Sequence, residues 1–180
     1  MVEVRRAQPA EYEKVGELTV AAYQTLPVDH LFGGYDRAIR DVAGRAAGTE
    51  VLVAVDGDIV LGAVTYSSDP DSGWLEWTEP GEVQFRLLAV SADACGRGVG
   101  ELLARACMDR ASAGGHPICI HTTRWMESGQ RLYRRLGFTR RPDRDVGYDR
   151  WGGAKIANLP IEWVGQPFLA FTWSGATDNQ

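Results

Sequence analysis

Apolar and polar positions fall in blocks along this chain, and the period of each block predicts an element. Val2 and Val4 alternate with Glu3 and Arg5, which predicts a first strand over Val2–Arg6. Pro9 suits a first helical position, with Glu11 and Glu13 in the favourable first turn. Val15, Leu18, Thr19 and Ala22 then repeat at helical spacing, and Leu26-Pro27 ends that helix. A second helix is expected from Asp36, with Ile39, Val42, Ala43 and Ala46 inward. Two β-branched runs, Val51–Val55 and Ile59–Tyr66, flank Asp56-Gly57-Asp58 and read as a hairpin.

Ser67 to Gly81 is a polar excursion too long for a simple hairpin loop, a kind of segment that often carries function. Val83–Val90 reads as a buried strand, and Val99, Leu102, Leu103, Ala106 and Cys107 mark a helix that Ala113-Gly114-Gly115 closes. Pro117–His121 predicts a short strand of parallel type. Arg131–Leu136 predicts a helix stopped by Gly137, and Phe138 begins another strand. Arg140, Arg141, Arg144 and Arg150, with Asp143, Asp145 and Asp149, read as a solvated charged stretch. Gly165–Trp173 resembles a last strand, and Ser174–Gln180 a frayed tail. There is no internal repeat, so residues 1–180 are expected to form one domain.

Between the buried strand and its helix lies Cys95-Gly96-Arg97-Gly98-Val99-Gly100. Glycines let the backbone approach a ligand, and the free N–H groups of a helix start favour an anion. The stretch reads as a phosphate cradle. A P-loop would need Lys and Ser or Thr after the glycines, where Glu101 and Leu102 stand. A dinucleotide fingerprint would need its last glycine at Glu101. Both common readings fail.

What the stretch resembles is the pyrophosphate loop of the GCN5-related N-acetyltransferases, written Arg/Gln-x-x-Gly-x-Gly/Ala. Leu88-Ala89-Val90 looks like that family's fourth strand, and Leu132-Tyr133-Arg134-Arg135-Leu136-Gly137-Phe138 is similar to its late helix. The match is specific between about Glu82 and Phe138. The resemblance implies an α/β (α+β) fold: a mixed, twisted central sheet of about six to seven strands flanked by about four helices. It also implies acetyl transfer from acetyl-CoA to an amine, a small molecule slightly favoured over a peptide N-terminus.

Carried over residue by residue, the resemblance gives the main chain of Leu88, Ala89 and Val90 to the pantetheine arm and acetyl carbonyl. The N–H groups of Gly96, Arg97, Gly98, Val99 and Gly100 go to the pyrophosphate, and the Arg97 side chain to a phosphate or to solvent. Tyr133 matches the tyrosine that protonates the CoA thiolate, and is otherwise a packing residue. At the glutamate base of some members this chain has Gln84, without useful basicity. Glu82 lies two residues earlier on the same strand face, as a base acting through water or as an exposed strand start. Arg86 shares that face and would pair with Glu82. Cys95 replaces Arg or Gln, and Met126 an asparagine that holds pantetheine in many relatives; each loss is worth about 1 kcal/mol. His30, Phe32, Tyr35, Trp74 and Trp77, with Glu76, Glu79, Phe168 and Trp173, are the candidate acceptor residues. Aromatics and carboxylates together suit a cationic amine. A non-catalytic acyl-CoA-binding or sensing module is the alternative.

Composition narrows the partners. The net charge of −5 argues against nucleic acid and anionic membranes, and no apolar run is long enough to span a bilayer. Met1–Arg6 lacks the apolar core of a signal peptide. Cys95, Cys107 and Cys119 suggest reduced thiols in a cytoplasmic protein. His116 and His121 flank Cys119 in a strand-like run, and no metal is expected. Monomer and homodimer both remain open.

Overall fold

Strands β1 (Glu3–Arg6), β2 (Glu50–Asp56), β3 (Ile59–Ser67) and β4 (Gln84–Val90) form an antiparallel sheet in chain order in the computed structural model, which describes residues 1–26, 35–147 and 167–175. A second antiparallel group is built on β8 (Pro167–Trp173), which pairs with β5 (Ile118–Thr122), β6 (Thr139–Arg140) and β7 (Val146–Gly147). The helices are α1 (Tyr12–Tyr23), α2 (Tyr35–Arg40), α3 (Val42–Gly48), α4 (Val99–Gly114) and α5 (Glu127–Arg135). The mixed α/β class is as expected, with eight strands among the described residues.

Among the described residues the two groups of strands meet at one parallel bridge, Val83 with Ile118. There the Val83 N–H donates to the Pro117 carbonyl at 2.9 Å, and the Cys119 N–H donates to the Val83 carbonyl at 3.0 Å. Beyond the bridge β4 and β5 share no ladder among the described residues. The strand predicted at Pro117–His121 is therefore parallel to β4 and antiparallel to β8. A layer of α4 and α5 side chains, including Leu103, Cys107, Leu132 and Tyr133, packs with Phe85, Ile120 and Phe171 on one face. On the other face Val15 and Leu18 of α1 and Val42 of α3 pack with Val51, Val53 and Ala89.

Three expectations need correcting. The second helix is broken: the Asp41 carboxylate accepts the Gly44 N–H at 2.8 Å and caps a new helix, α3. The break resets the phase, so Ala43 is exposed and Arg45 is buried instead. Arg45 donates to the Ala38 and Ile39 carbonyls at the end of α2, which explains how a guanidinium is tolerated there. The late helix starts at Glu127, earlier than the apolar pattern indicated. The charged stretch is not simply solvated: Arg144 pairs with Glu82, and Arg140 with Asp145, in part-buried contacts. Asp149 and Arg150 lie outside the described residues.

Candidate functional site

A bulge in β4 creates the site. Thr65 faces Arg86 in the β3–β4 ladder, while Ala63 faces Ala89, so β4 carries one extra residue. Leu87 absorbs it with φ of 53°, in the left-handed region. The extra residue reverses the parity of the strand. Before it, Val83 turns its N–H and C=O towards β5; after it, the Ser91 N–H turns to Leu61 of β3. By alternation the main-chain groups of Leu88 and Val90 face the open side, where β5 has parted from β4. Polar backbone is thus offered to a ligand in the gap.

That gap widens into a cleft of about 800 Å³. Leu88 and Val90 border it from β4, Cys95 to Gly100 apart from Arg97 from the loop, and Met126, Leu132 and Tyr133 from around α5. The loop is preset for close approach. Gly96 and Gly98 have φ of 78° and 79°, and Gly98 is the N-cap of α4, with no side chain to cover the free N–H groups of the helix start. Gly62 of β3 lets α4 come this near. A β-carbon there would lie 2.8 Å from the Ala89 carbonyl oxygen and 3.0 Å from a Val99 methyl. An anion cradle joined to an apolar slot edged by free main-chain groups fits a diphosphate on a slim arm. The Glu101 carboxylate joins the helices across the mouth, accepting from Arg105 at 2.8 Å and Arg135 at 2.9 Å.

Among the expected cofactor residues, Ala89 turns its side chain into the α1 core, and Arg97 lies by Asp56 at 3.7 Å, away from the cleft. Cys95 is exposed, its thiol donating to the Ser91 carbonyl at 3.5 Å, and the Met126 sulfur accepts from the Thr122 hydroxyl at 3.3 Å. Tyr133 is held by the rings of Phe85, Phe138 and Phe171 at centroid distances near 6 Å. Burial raises its phenol well above the usual range, so the group stays protonated.

The opposite face of the strands carries Trp74, Glu76, Trp77 and Phe168 of the expected acceptor residues, whereas Trp173 packs against Phe138 on the α5 side. Glu82 is not an exposed strand start: it is 9% exposed and accepts both Arg144 guanidinium nitrogens, at 2.6 and 2.7 Å, and the Glu79 N–H at 2.7 Å. Burial raises its pKa, but these hydrogen bonds outweigh that and hold the carboxyl below its ordinary value. Arg86 pairs with Glu76 at 3.0 Å instead of with Glu82, and lies over the Trp74 ring. Gln84 is fixed by the Glu76 main chain, accepting its N–H and donating to its carbonyl. Trp77, with φ of 59°, meets His121 edge-on and Phe168 at a tilt, both at 5.2 Å. His30, Phe32 and the Tyr35 side chain lie outside the described residues. Sequence reasoning missed Arg144, taken as solvated, and His121, weighed only as a metal ligand. The alternation of His121 with Thr122, which borders the cleft, is the signal that places His121 on the other face. Among the described residues no cluster of three His, Cys, Asp or Glu is arranged for a metal, and no helix is long and apolar enough to cross a membrane.

Comparison with known proteins bears on this geometry. Residues 47–140, just over half of the chain, match the family described as "Acetyltransferase (GNAT) domain". No curated protein sequence matches the chain. Among solved structures, a GCN5-related N-acetyltransferase from Kribbella flavida is 18% identical, with a TM-score of 0.67 over 96% of this chain and 97% of its own. The yncA acetyltransferase from Salmonella typhimurium, solved with its cofactor acetyl-CoA, is 18% identical, with a TM-score of 0.66 over 99% and 96% of the two chains. A protein from Corynebacterium glutamicum described as "histone acetyltransferase HPA2 and related acetyltransferase" is 22% identical, with a TM-score of 0.66 over 99% of each chain. At such identities these structures share the fold, and the family match carries the assignment. The chain belongs to the GNAT acetyltransferase family.

Proposed function

We propose that the cleft binds acetyl-CoA and that the protein passes the acetyl group to a primary amine by direct attack within a ternary complex. The observation that carries this reading is one cleft bordered by the glycine cradle, the free edge of β4 and Tyr133. In this reading the N–H groups of Gly96, Gly98, Val99 and Gly100 hold the diphosphate, with the positive end of α4 behind them, while the Arg97 N–H donates to the Ala94 carbonyl at 3.3 Å and is not one of the donors. Main-chain groups of Leu88 and Val90 align the arm. An N–H beside the Leu87 bulge supports the charge that develops on the carbonyl oxygen as nitrogen bonds to carbon. The departing thiolate takes a proton from the Tyr133 phenol, which is protonated throughout the working range. Cys95 and Met126 add no strong polar contact, so main-chain groups supply most of the specificity for the arm.

A small-molecule amine is favoured over a peptide N-terminus by the half-buried rings of Trp74, Trp77 and Phe168 on the acceptor face. Glu82 and Glu76 are engaged by Arg144 and Arg86, so attraction of a cation by free carboxylates is no longer part of the case. The reading includes one domain over residues 1–180, a cytoplasmic location and function as a monomer or homodimer. One observation favours an acyl-CoA-binding module instead: Gln84 and Glu82 are both committed to protein partners. Thiol release from acetyl-CoA with a panel of amines tests the proposal. Turnover by the parent that falls in Tyr133→Phe supports the enzyme; acetyl-CoA binding without turnover of any amine supports the module.

A further inference from the structure

We infer that His121 is the base that takes the proton of the acceptor ammonium, with its Nδ1 as the accepting atom; this rests on the acetyltransferase reading above. The ring's hydrogen bonding assigns the atom. Nε2 lies 3.3 Å from the Arg144 carbonyl oxygen, which can only accept, so Nε2 carries the hydrogen of the neutral ring. Nδ1 then presents a lone pair. It is shut off from solvent and has no partner among the described residues. Buried side-chain polar atoms are satisfied in the large majority of cases, so the open Nδ1 acceptor, set beside the strand gap, points to a donor that arrives from outside.

The tautomer is held from a distance. Glu82 grips the Arg144 guanidinium with both oxygens, and the same residue's carbonyl receives the His121 Nε2–H. Glu82 and Arg144 are thus positioning residues for the ring, with Trp77 packed edge-on against it. The charges that face His121 are already matched. Arg144 is paired with Glu82, Arg86 with Glu76, and Asp145 with Arg140. Burial foremost then keeps the imidazole pKa below its usual value, and the ring is neutral and able to accept at physiological pH.

Its place along β5 suits the role. Counted from the Val83–Ile118 bridge, His121 is as far along β5 as Arg86 is along β4, one step before the Leu87 bulge. Its neighbour Thr122 borders the cofactor cleft, while His121 turns to the opposite face. An amine on that face approaches a thioester through the gap between the strands. One ammonium proton passes to Nδ1, the C–N bond forms and the C–S bond breaks. A second proton leaves nitrogen for solvent as the thiolate takes one from Tyr133, which solvent restores. The imidazolium returns its proton to solvent, so one proton is released per amide formed.

The test compares the parent with His121→Gln, whose amide N–H still reaches the Arg144 carbonyl while the basic nitrogen is gone. Thiol release is followed with phenethylamine, putrescine and the dipeptide Ala-Phe from pH 5 to 9, and acetyl-CoA affinity is read by calorimetry. The expected result is a loss of about 10²–10⁴-fold in kcat/KM, disappearance of the acidic limb of the profile, and unchanged acetyl-CoA affinity. A variant with the parent's rate and profile overturns the inference and leaves the acetyltransferase reading standing; a parent that fails to bind acetyl-CoA overturns that reading itself. Nitrogen NMR of the parent needs no acceptor: an Nε2–H tautomer titrating below the usual histidine range is expected, and an Nδ1–H tautomer overturns the assignment.

Discussion

Arg144 and Glu82 lie 62 positions apart and join through two hydrogen bonds of 2.6 and 2.7 Å, both side chains about nine-tenths buried. The pair ties the segment after β6 to the start of β4, where the two groups of strands meet. Removing one partner strands a buried charge, so Arg144→Ala is expected to cost about 3–5 kcal/mol. In a chain of this size that lowers the melting temperature by roughly 6–20 °C, read by thermal denaturation.

The same pair sets a pH dependence. The Glu82 carboxyl is held below its ordinary 4.5, so its contribution is complete above that pH and drains as the pH falls through the folded value. Unfolding followed between pH 5 and 2 should show a shallower acid loss in Arg144→Ala than in the parent. Equal slopes would mean the pair contributes nothing there.

Gly62 is expected to be intolerant of any side chain. A methyl group would meet the Ala89 carbonyl oxygen at 2.8 Å and Leu103 at 3.1 Å, so β3 and α4 must separate. Gly62→Ala should destabilise by about 1–3 kcal/mol and weaken acetyl-CoA binding as the cradle shifts. Denaturant titration and calorimetry check the two effects.

Gly98 has open space around a β-carbon, so its requirement is conformational. With φ of 79° it costs a non-glycine residue about 1–2 kcal/mol. Gly98→Ala should lose roughly 5–30-fold in acetyl-CoA affinity if the loop relaxes away from its cradle shape. By contrast Arg97→Ala should leave affinity within about twofold, since that side chain points to Asp56 and away from the cleft.

Tyr133→Phe removes one hydroxyl and keeps the ring against Phe85, Phe138 and Phe171. Melting temperature and acetyl-CoA affinity are expected to stay near the parent's, while thiol release falls by about 10²-fold or more. Unchanged turnover would remove the phenol from the proton path.

Elements with strong local signals were legible in the chain. The Asp56-Gly57 hairpin, the strand–glycine–helix unit from Val83 and the Gly115 and Gly137 stops all appear as their patterns imply. What escaped depends on contacts across the fold. The Asp41 cap interrupts an apolar pattern that reads as one helix, and Arg45 is buried because broken helix carbonyls receive it. The bulge at Leu87 is invisible in Leu87-Leu88-Ala89, because only the ladder with β3 reveals the extra residue. Arg144 and Arg141 look alike in the sequence; a partner 62 positions away makes Arg144 structural, while Arg141 pairs locally with Asp143. The glycine loop was readable since its geometry is main-chain and local, while the contacts joining Glu82, Arg144, Trp77 and His121, assembled from β4, β5, the segment after β6 and the Ser67–Gly81 excursion, were not.

The most direct test is calorimetric titration of the purified protein with acetyl-CoA. Saturable one-site binding at micromolar or tighter affinity, weakened in Gly98→Ala and retained in Tyr133→Phe, is the predicted result. No heat of binding at millimolar acetyl-CoA would contradict the account, for the cleft would then lack the ligand its cradle is built to hold.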